Sequence, residues 1–352
     1  MEDCVSDKPR ASCSEVSRAN HVCITIAFED RDLLSVICGA NDGNLKVIED
    51  SLGGYISARG NEIHFAGEAS AAQGFKTMID NLISAAEEGE LPSADFIRSL
   101  ASTEELIQDE EQENEKGEKD ASEEPRNSAL FKDSLIQIPH GIRRVYPRTK
   151  NQAYYIQGMR KNEICFCVGP AGTGKTYLAI AHALQMLLSK KMRKLVLTRP
   201  VVEAGENLGF LPGDLAQKID PYLKPLYDAM ESLVPYDIIN KMEETRSIEI
   251  APLAYMRGRS LNDCMVILDE AQNTTKEQMK MFLTRIGEGT RAVITGDTTQ
   301  IDLPRKSDSG LLHALEILKG IDELSFSFLH TCDVARNPLI KKIIQAYNER
   351  EK

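Results

Sequence analysis

Gly169-Pro170-Ala171-Gly172-Thr173-Gly174-Lys175-Thr176 fits the pattern GxxxxGK[ST], and its flanks decide how it is read. Upstream, Ile164-Cys165-Phe166-Cys167-Val168 is an apolar run of strand length; downstream, Leu178, Ala179, Ala181, Leu184, Leu187 and Leu188 recur at helical spacing. A glycine-rich turn between strand and helix points backbone N–H groups at phosphate oxygens, and the helix N-terminus favours their negative charge. In this reading the run cradles a nucleoside triphosphate. Lys175 reaches its β- and γ-phosphates, and the Thr176 hydroxyl holds Mg²⁺.

Four more strand-like runs follow, at residues 194–198, 265–268, 292–295 and 324–329, interleaved with helix-like stretches. Alternating strand and helix predicts an α/β fold, a P-loop NTPase with helices on both faces of a parallel sheet. Functional residues then belong at the carboxyl ends of the strands. Met265-Val266-Ile267-Leu268 ends in Asp269-Glu270. Asp269 is placed to join the Mg²⁺ shell. Glu270 is placed to orient and deprotonate an attacking water, which a hydrolase needs more than a kinase does. The next strand leads into Gly296-Asp297-Thr298-Thr299-Gln300, so that Gln300 lies near the γ-phosphate. The nearest match to a guanine-reading NKxD is Asn240-Lys241-Met242-Glu243, with Glu for Asp and in a helix-like run, which favours ATP over GTP.

The chain has 352 residues and a net charge of −12. Residues 104–124 contribute −9 of that charge, leaving about −3 for the rest, so an acidic total does not exclude a nucleic-acid partner. Residues 101–130 lack apolar periodicity and are expected to form an acidic, disordered linker. It separates a small α+β module, residues 20–100, from a larger one, residues 131–352. No 18-residue apolar run and no apolar leader occurs, so neither a membrane span nor a signal peptide is expected and the cytoplasm is the default location. The eight cysteines are scattered with no C-x-x-C pair and read as reduced packing residues.

In the first module, residues 22–28 alternate as a strand, and 33–38 and 45–52 read as short helices. Residues 55–58 and 63–65 flank Gly60-Asn61 as a hairpin, and 69–86 have helical spacing. This β-α-α-β-β-α order, with Gly39-Ala40-Asn41-Asp42-Gly43 between the two short helices, resembles a KH RNA-binding module. The glycines are one residue farther apart than in the KH loop, and Asp42 stands where a phosphate-facing loop wants a cation. The loop is therefore open to either an RNA or a protein-contact role. Residues 141–150 carry four basic side chains and Tyr146, a composition that suits single-stranded nucleic acid or a solvated connector.

Taken together, the P-loop, Thr198-Arg199-Pro200, Glu203-Ala204-Gly205-Glu206, Gly209-Phe210-Leu211-Pro212-Gly213, Pro221 through Asp228, Asp269-Glu270-Ala271-Gln272-Asn273, Gly296-Asp297 with Gln300, and Asp333-Val334-Ala335-Arg336 resemble the PhoH-like family. The resemblance covers most of residues 140–347 and implies a RecA-like core akin to the first domain of superfamily-one helicases. Arg336-Asn337 departs from the family's usual Arg-His. Gln152 lies seventeen residues before the P-loop, where helicase-like folds place an adenine-reading glutamine. The resemblance implies ATP and Mg²⁺ as ligands, RNA as a partner, and ties to ribosomal RNA maturation and an endoribonuclease. Three functions follow in order: an RNA-linked ATPase or helicase-like motor, a regulatory adaptor that recruits the nuclease with little turnover, and a small-molecule kinase. Only sixteen residues follow Arg336, too few for a second motor domain. Arg336 is accordingly expected to act on a neighbouring subunit's γ-phosphate in a ring-like homo-oligomer such as a hexamer.

Overall fold

Val22, Ile24, Ile26 and Phe28 are all buried while the residues between them are not, the two-residue period of a half-buried strand. In the computed structural model this strand organises the first of two compact units, residues 1–131 and 132–352. The structure describes residues 11–18, 21–87, 92–94, 96–101, 130, 133–142, 144–200 and 215–334. The expected linker at 101–130 lies almost wholly outside them.

The first unit has an antiparallel sheet of four strands, β1 (Ala11–Arg18), β2 (His21–Phe28), β3 (Tyr55–Arg59) and β4 (Glu62–Glu68), in the order β1-β2-β4-β3. Helices α1 (Arg31–Cys38), α2 (Gly43–Leu52) and α3 (Ala69–Glu87) pack beside it, and Ile97 and Ala101 of a helical stretch at 96–101 join the same core. Phe75, Met78, Ile79 and Leu82 of α3 are fully buried, and Phe75 stacks on Phe65 of β4 at 4.8 Å. From β2 onward the element order is the one the sequence predicts. β1 is additional: its Ala-Ser-Cys-Ser-Glu-Val-Ser-Arg has no apolar alternation, and it pairs with β2 along its whole length. Between α1 and α2, Asn41 (φ 52°) and Asp42 (φ 56°) are both left-handed, a conformation these two residue types tolerate better than most.

The second unit is a six-stranded parallel sheet. Its strands are β5 (Ile164–Val168), β6 (Lys194–Arg199), β7 (Ile248–Pro252), β8 (Cys264–Leu268), β9 (Arg291–Gly296) and β10 (Leu324–Phe328), ordered β10-β5-β9-β8-β6-β7. Helices α4 (Lys150–Lys161), α5 (Lys175–Leu188), α6 (Leu215–Glu231), α7 (Tyr236–Glu244), α8 (Lys276–Leu283) and α9 (Gly310–Ile317) surround it. Alternate residues of β8 feed two different cores: Met265 and Ile267 face α5, whereas Val266 and Leu268 face the side of α8. Both faces are thus covered, as a parallel sheet requires. The order inserts β9 between the P-loop strand β5 and the aspartate strand β8, so the loop after β9 opens into the middle of the cleft. β7 is the strand that apolar periodicity does not predict. Its Glu249 is paired with Lys194 and Arg259, and those partners hold its carboxyl down to about 2.

The 141–150 run is tied into this unit. Val145 pairs with Ile136 through two backbone hydrogen bonds, Thr149 caps α4, and Lys150 lies over the Tyr154 ring at 6.0 Å. Asn240 through Glu243 lie in α7, which removes them from any guanine-reading loop. No helix of the described residues is long and apolar enough to cross a membrane.

Candidate nucleotide-binding site

The turn from β5 into α5 depends on its glycines. A Cβ on Gly169 would stand 2.5 Å from the Leu329 carbonyl oxygen, and Gly172 and Gly174 both have φ near +83°. Only glycine adopts that backbone at little cost. Within the turn, the Thr173 hydroxyl donates to the Pro170 carbonyl at 2.9 Å, and Ala171 lines the cleft. Tyr155, fully buried, donates to the Lys175 carbonyl at 3.3 Å from below.

Lys175 is 9 % exposed, and its Nζ donates to the carbonyls of Gly169 (2.6 Å) and Pro170 (2.8 Å). Burial pulls this ammonium below the usual lysine range, opposed by Cys167, Asp297, Glu270 and Asp269 around it. A cation held among loop carbonyls in a partly desolvated site is suited to accept phosphate oxygens in their place.

Asp269 follows β8 and is 5 % exposed. Its Oδ1 accepts from Thr176 Oγ1 at 2.6 Å and from Thr295 Oγ1 at 2.7 Å. One hydroxyl and one carboxylate at contact distance are hard oxygen donors that fit Mg²⁺. Among the described residues no cluster of three or more His, Cys, Asp or Glu could hold a metal by itself. Mg²⁺ here would need phosphate oxygens as further ligands, which is how that ion is commonly bound beside nucleotides.

Glu270 occupies left-handed backbone (φ 53°), and its side chain pairs with Arg199 at 3.0 Å. Gln272 spans the next two strand ends: its Nε2 donates to Glu270 Oε2 at 2.5 Å, while its Oε1 accepts from the Asp297 N–H at 2.9 Å. Asp297 in turn accepts from the Thr299 N–H and hydroxyl and from Gln300 Nε2 at 2.9 Å. These interactions enclose a cleft of about 250 Å³ lined by Lys175, Thr176, Asp269, Glu270, Asp297 and Gln300. Three sequence segments converge there: the turn from β5 into α5, the end of β8 and the end of β9.

Gln152 takes a different position. It is 3 % exposed on α4, with Nε2 donating to the Thr173 carbonyl at 3.0 Å and Oε1 accepting from the Arg148 N–H at 2.7 Å. Its Nε2 braces the P-loop and its Oε1 the segment before α4, and Gln152 is not among the residues lining the cleft. Arg336 lies outside the described residues, as does the 203–213 stretch. The segment leading to Arg336 is anchored: Asp333, 2 % exposed, accepts from Asn151 Nδ2 at 3.0 Å and from the His330 N–H at 2.6 Å. Sequence patterns assigned no role to Thr295 or Gln272. The signal for Thr295 was a hydroxyl inside an otherwise apolar strand, two residues before Asp297.

Residues 144–348 match the family described as PhoH-like protein. The chain belongs to the PhoH-like family. It is 44 % identical to a PhoH-like protein of Bacillus subtilis over 313 residues, 89 % of this chain and 93 % of that one. It is 43 % identical to one from Mycobacterium bovis over 320 residues, 91 % of this chain and 86 % of the relative. Among solved structures, the Pif1 helicase of Candida albicans aligns with a TM-score of 0.28 at 15 % identity, over 52 % of this chain and 40 % of that one.

Proposed function

We propose that this PhoH-like chain hydrolyses ATP and couples turnover to RNA. The observation that carries the hydrolytic part is Glu270, a second carboxylate at the lip of the cleft, immediately after Asp269. Lys175 supplies positive charge to the β- and γ-phosphates. Glu270 accepts the proton of the water that attacks the γ-phosphorus, giving ADP and phosphate. Gln300, linked to Asp297, reports the γ-phosphate to the β9 end. Thr176 and Asp269 would hold Mg²⁺, which neutralises charge on the phosphate oxygens when bound. Arg336 completes the site of a neighbouring subunit in a ring-like homo-oligomer.

Support for RNA comes from the first unit. A cleft of about 470 Å³ lies between α1, the Gly39–Gly43 loop and the β3–β4 turn, lined by Arg31, Ser35, Gly39, Asp42, Ala58 and Gly60. An open groove beside such a loop, in a β-α-α-β-β-α module, is what KH-like recognition of a single strand needs. Arg148 and Lys150, both half-buried, add positive charge to the second unit.

ATP turnover of the full chain, with and without single-stranded RNA across a salt series, tests the coupling. RNA should raise turnover at low salt and lose that effect as salt rises, because phosphate contacts release counterions. Turnover that stays slow and indifferent to RNA favours instead an adaptor that binds ATP and recruits an endoribonuclease. The Arg199 contact on Glu270 is the observation on the side of that second reading.

A further inference from the structure

Glu270 is held from two sides. Its Oε1 lies 3.0 Å from Nη2 of Arg199, and its Oε2 accepts from Gln272 Nε2 at 2.5 Å. Arg199 is the last residue of β6, and Glu270 stands two residues past the end of β8. The two strands are paired directly, Thr198 opposite Leu268, and the Asp269 N–H extends the ladder by donating to the Thr198 carbonyl at 2.9 Å. The guanidinium is therefore fixed by a strand end and not by a wandering loop. The two side chains are 20 % and 36 % exposed, so the pair is screened less than one on open surface. The left-handed backbone of Glu270 adds a third restraint, since a glutamate takes φ 53° only where its surroundings impose it.

We propose that Arg199 is a positioning residue whose ion pair keeps Glu270 turned away from the attacking water, and that turnover requires this pair to open. The inference rests on the reading of Glu270 as the general base. In the paired state each Glu270 oxygen is already engaged, Oε1 by the guanidinium and Oε2 by the Gln272 amide, which lowers the basicity of the carboxylate toward a water proton. Arg199 acts here through Glu270 and not on phosphate.

Steady-state ATP turnover of full-length R199Q, R199K, E270Q and the R199Q/E270Q double variant, each checked for folding by thermal melting, tests this. R199Q should raise kcat about fivefold with KM for ATP within about twofold of the parent, the size expected for losing one partly exposed pair. R199K, which keeps the charge without the planar fork, should fall between R199Q and the parent. The double variant should lose the gain. A kcat for R199Q at or below the parent's, or a KM raised more than about tenfold, overturns the proposal, because Arg199 would then serve the phosphate or the transition state. Should R199Q not fold, R199K decides: a kcat above the parent's supports the restraint and one at or below it overturns it. If E270Q turns over as fast as the parent, the general-base reading itself fails, whatever R199Q does.

Discussion

The Thr176 hydroxyl donates to Asp269 Oδ1 at 2.6 Å, joining two residues 93 apart in sequence. It brings the first turn of α5 against the end of β8. Thr295 meets the same oxygen from β9. The strand inserted between β5 and β8 thus also fixes the direction of the carboxylate.

That third partner is testable because Thr295 is fully buried and touches no ligand position of its own. Thr295→Val keeps the shape and removes the hydroxyl. The Mg²⁺ concentration for half-maximal ATP turnover should rise about tenfold, the typical loss when a partner of a metal ligand is removed. An unchanged Mg²⁺ requirement would show that Asp269 does not depend on Thr295 for its orientation.

Gln152 holds the P-loop through Thr173 and the preceding segment through Arg148. Gln152→Ala strands a buried carbonyl and N–H, a cost of about 1–3 kcal/mol, and loosens the phosphate cradle without touching the base. ATP and GTP affinities should therefore fall by the same factor. A loss confined to ATP would make Gln152 an adenine reader instead of a brace.

His182, on the buried face of α5, has its pKa pushed down to about 4, by burial first and then by the nearby positive charges of Arg160 and Arg291. The folded state holds it neutral, while an unfolded chain protonates it near its ordinary 6.5. Its contribution to stability is complete above about pH 6.5 and is lost as pH falls toward 4, about 3 kcal/mol over the whole window. Thermal melting of His182→Leu and the parent at pH 7.5 and 5 should show the smaller drop in the variant. Equal drops would assign the acid sensitivity to other groups.

Arg336 is proposed to act in trans, and subunit mixing separates that from an action within one chain. Arg336→Ala and Lys175→Ala should each lose turnover, the arginine by about 10³-fold. Mixed assemblies should regain activity at sites that pair an intact Lys175 with a neighbour's Arg336. No recovery despite demonstrated subunit exchange would rule the shared site out.

Much of the second unit was legible in the sequence because β5, β8 and β9 each lead into polar residues of the cleft. Apolar runs at 164–168, 265–268 and 292–295 mark buried parallel strands, and the polar residues after them are the ones the cleft collects. β7 and β1 were not legible for opposite reasons. Glu249 breaks the apolar pattern of β7 and is satisfied only by Lys194 and Arg259, whose proximity no local spacing reveals. β1 is a polar edge strand stabilised by pairing with β2. The contacts of Gln152 depend on which way a buried amide turns, and those of Arg199 and Gln272 join separate strand ends.

Lys175 is proposed to meet phosphate in the bound state and Glu270 to act only on the water. Nucleotide affinity and single-turnover hydrolysis measured side by side on Lys175→Ala and Glu270→Gln test this most directly. Lys175→Ala should lose ATP binding, while Glu270→Gln should bind ATP like the parent and hydrolyse it about 10²- to 10⁴-fold more slowly. Hydrolysis by Glu270→Gln at the parental rate would contradict the account.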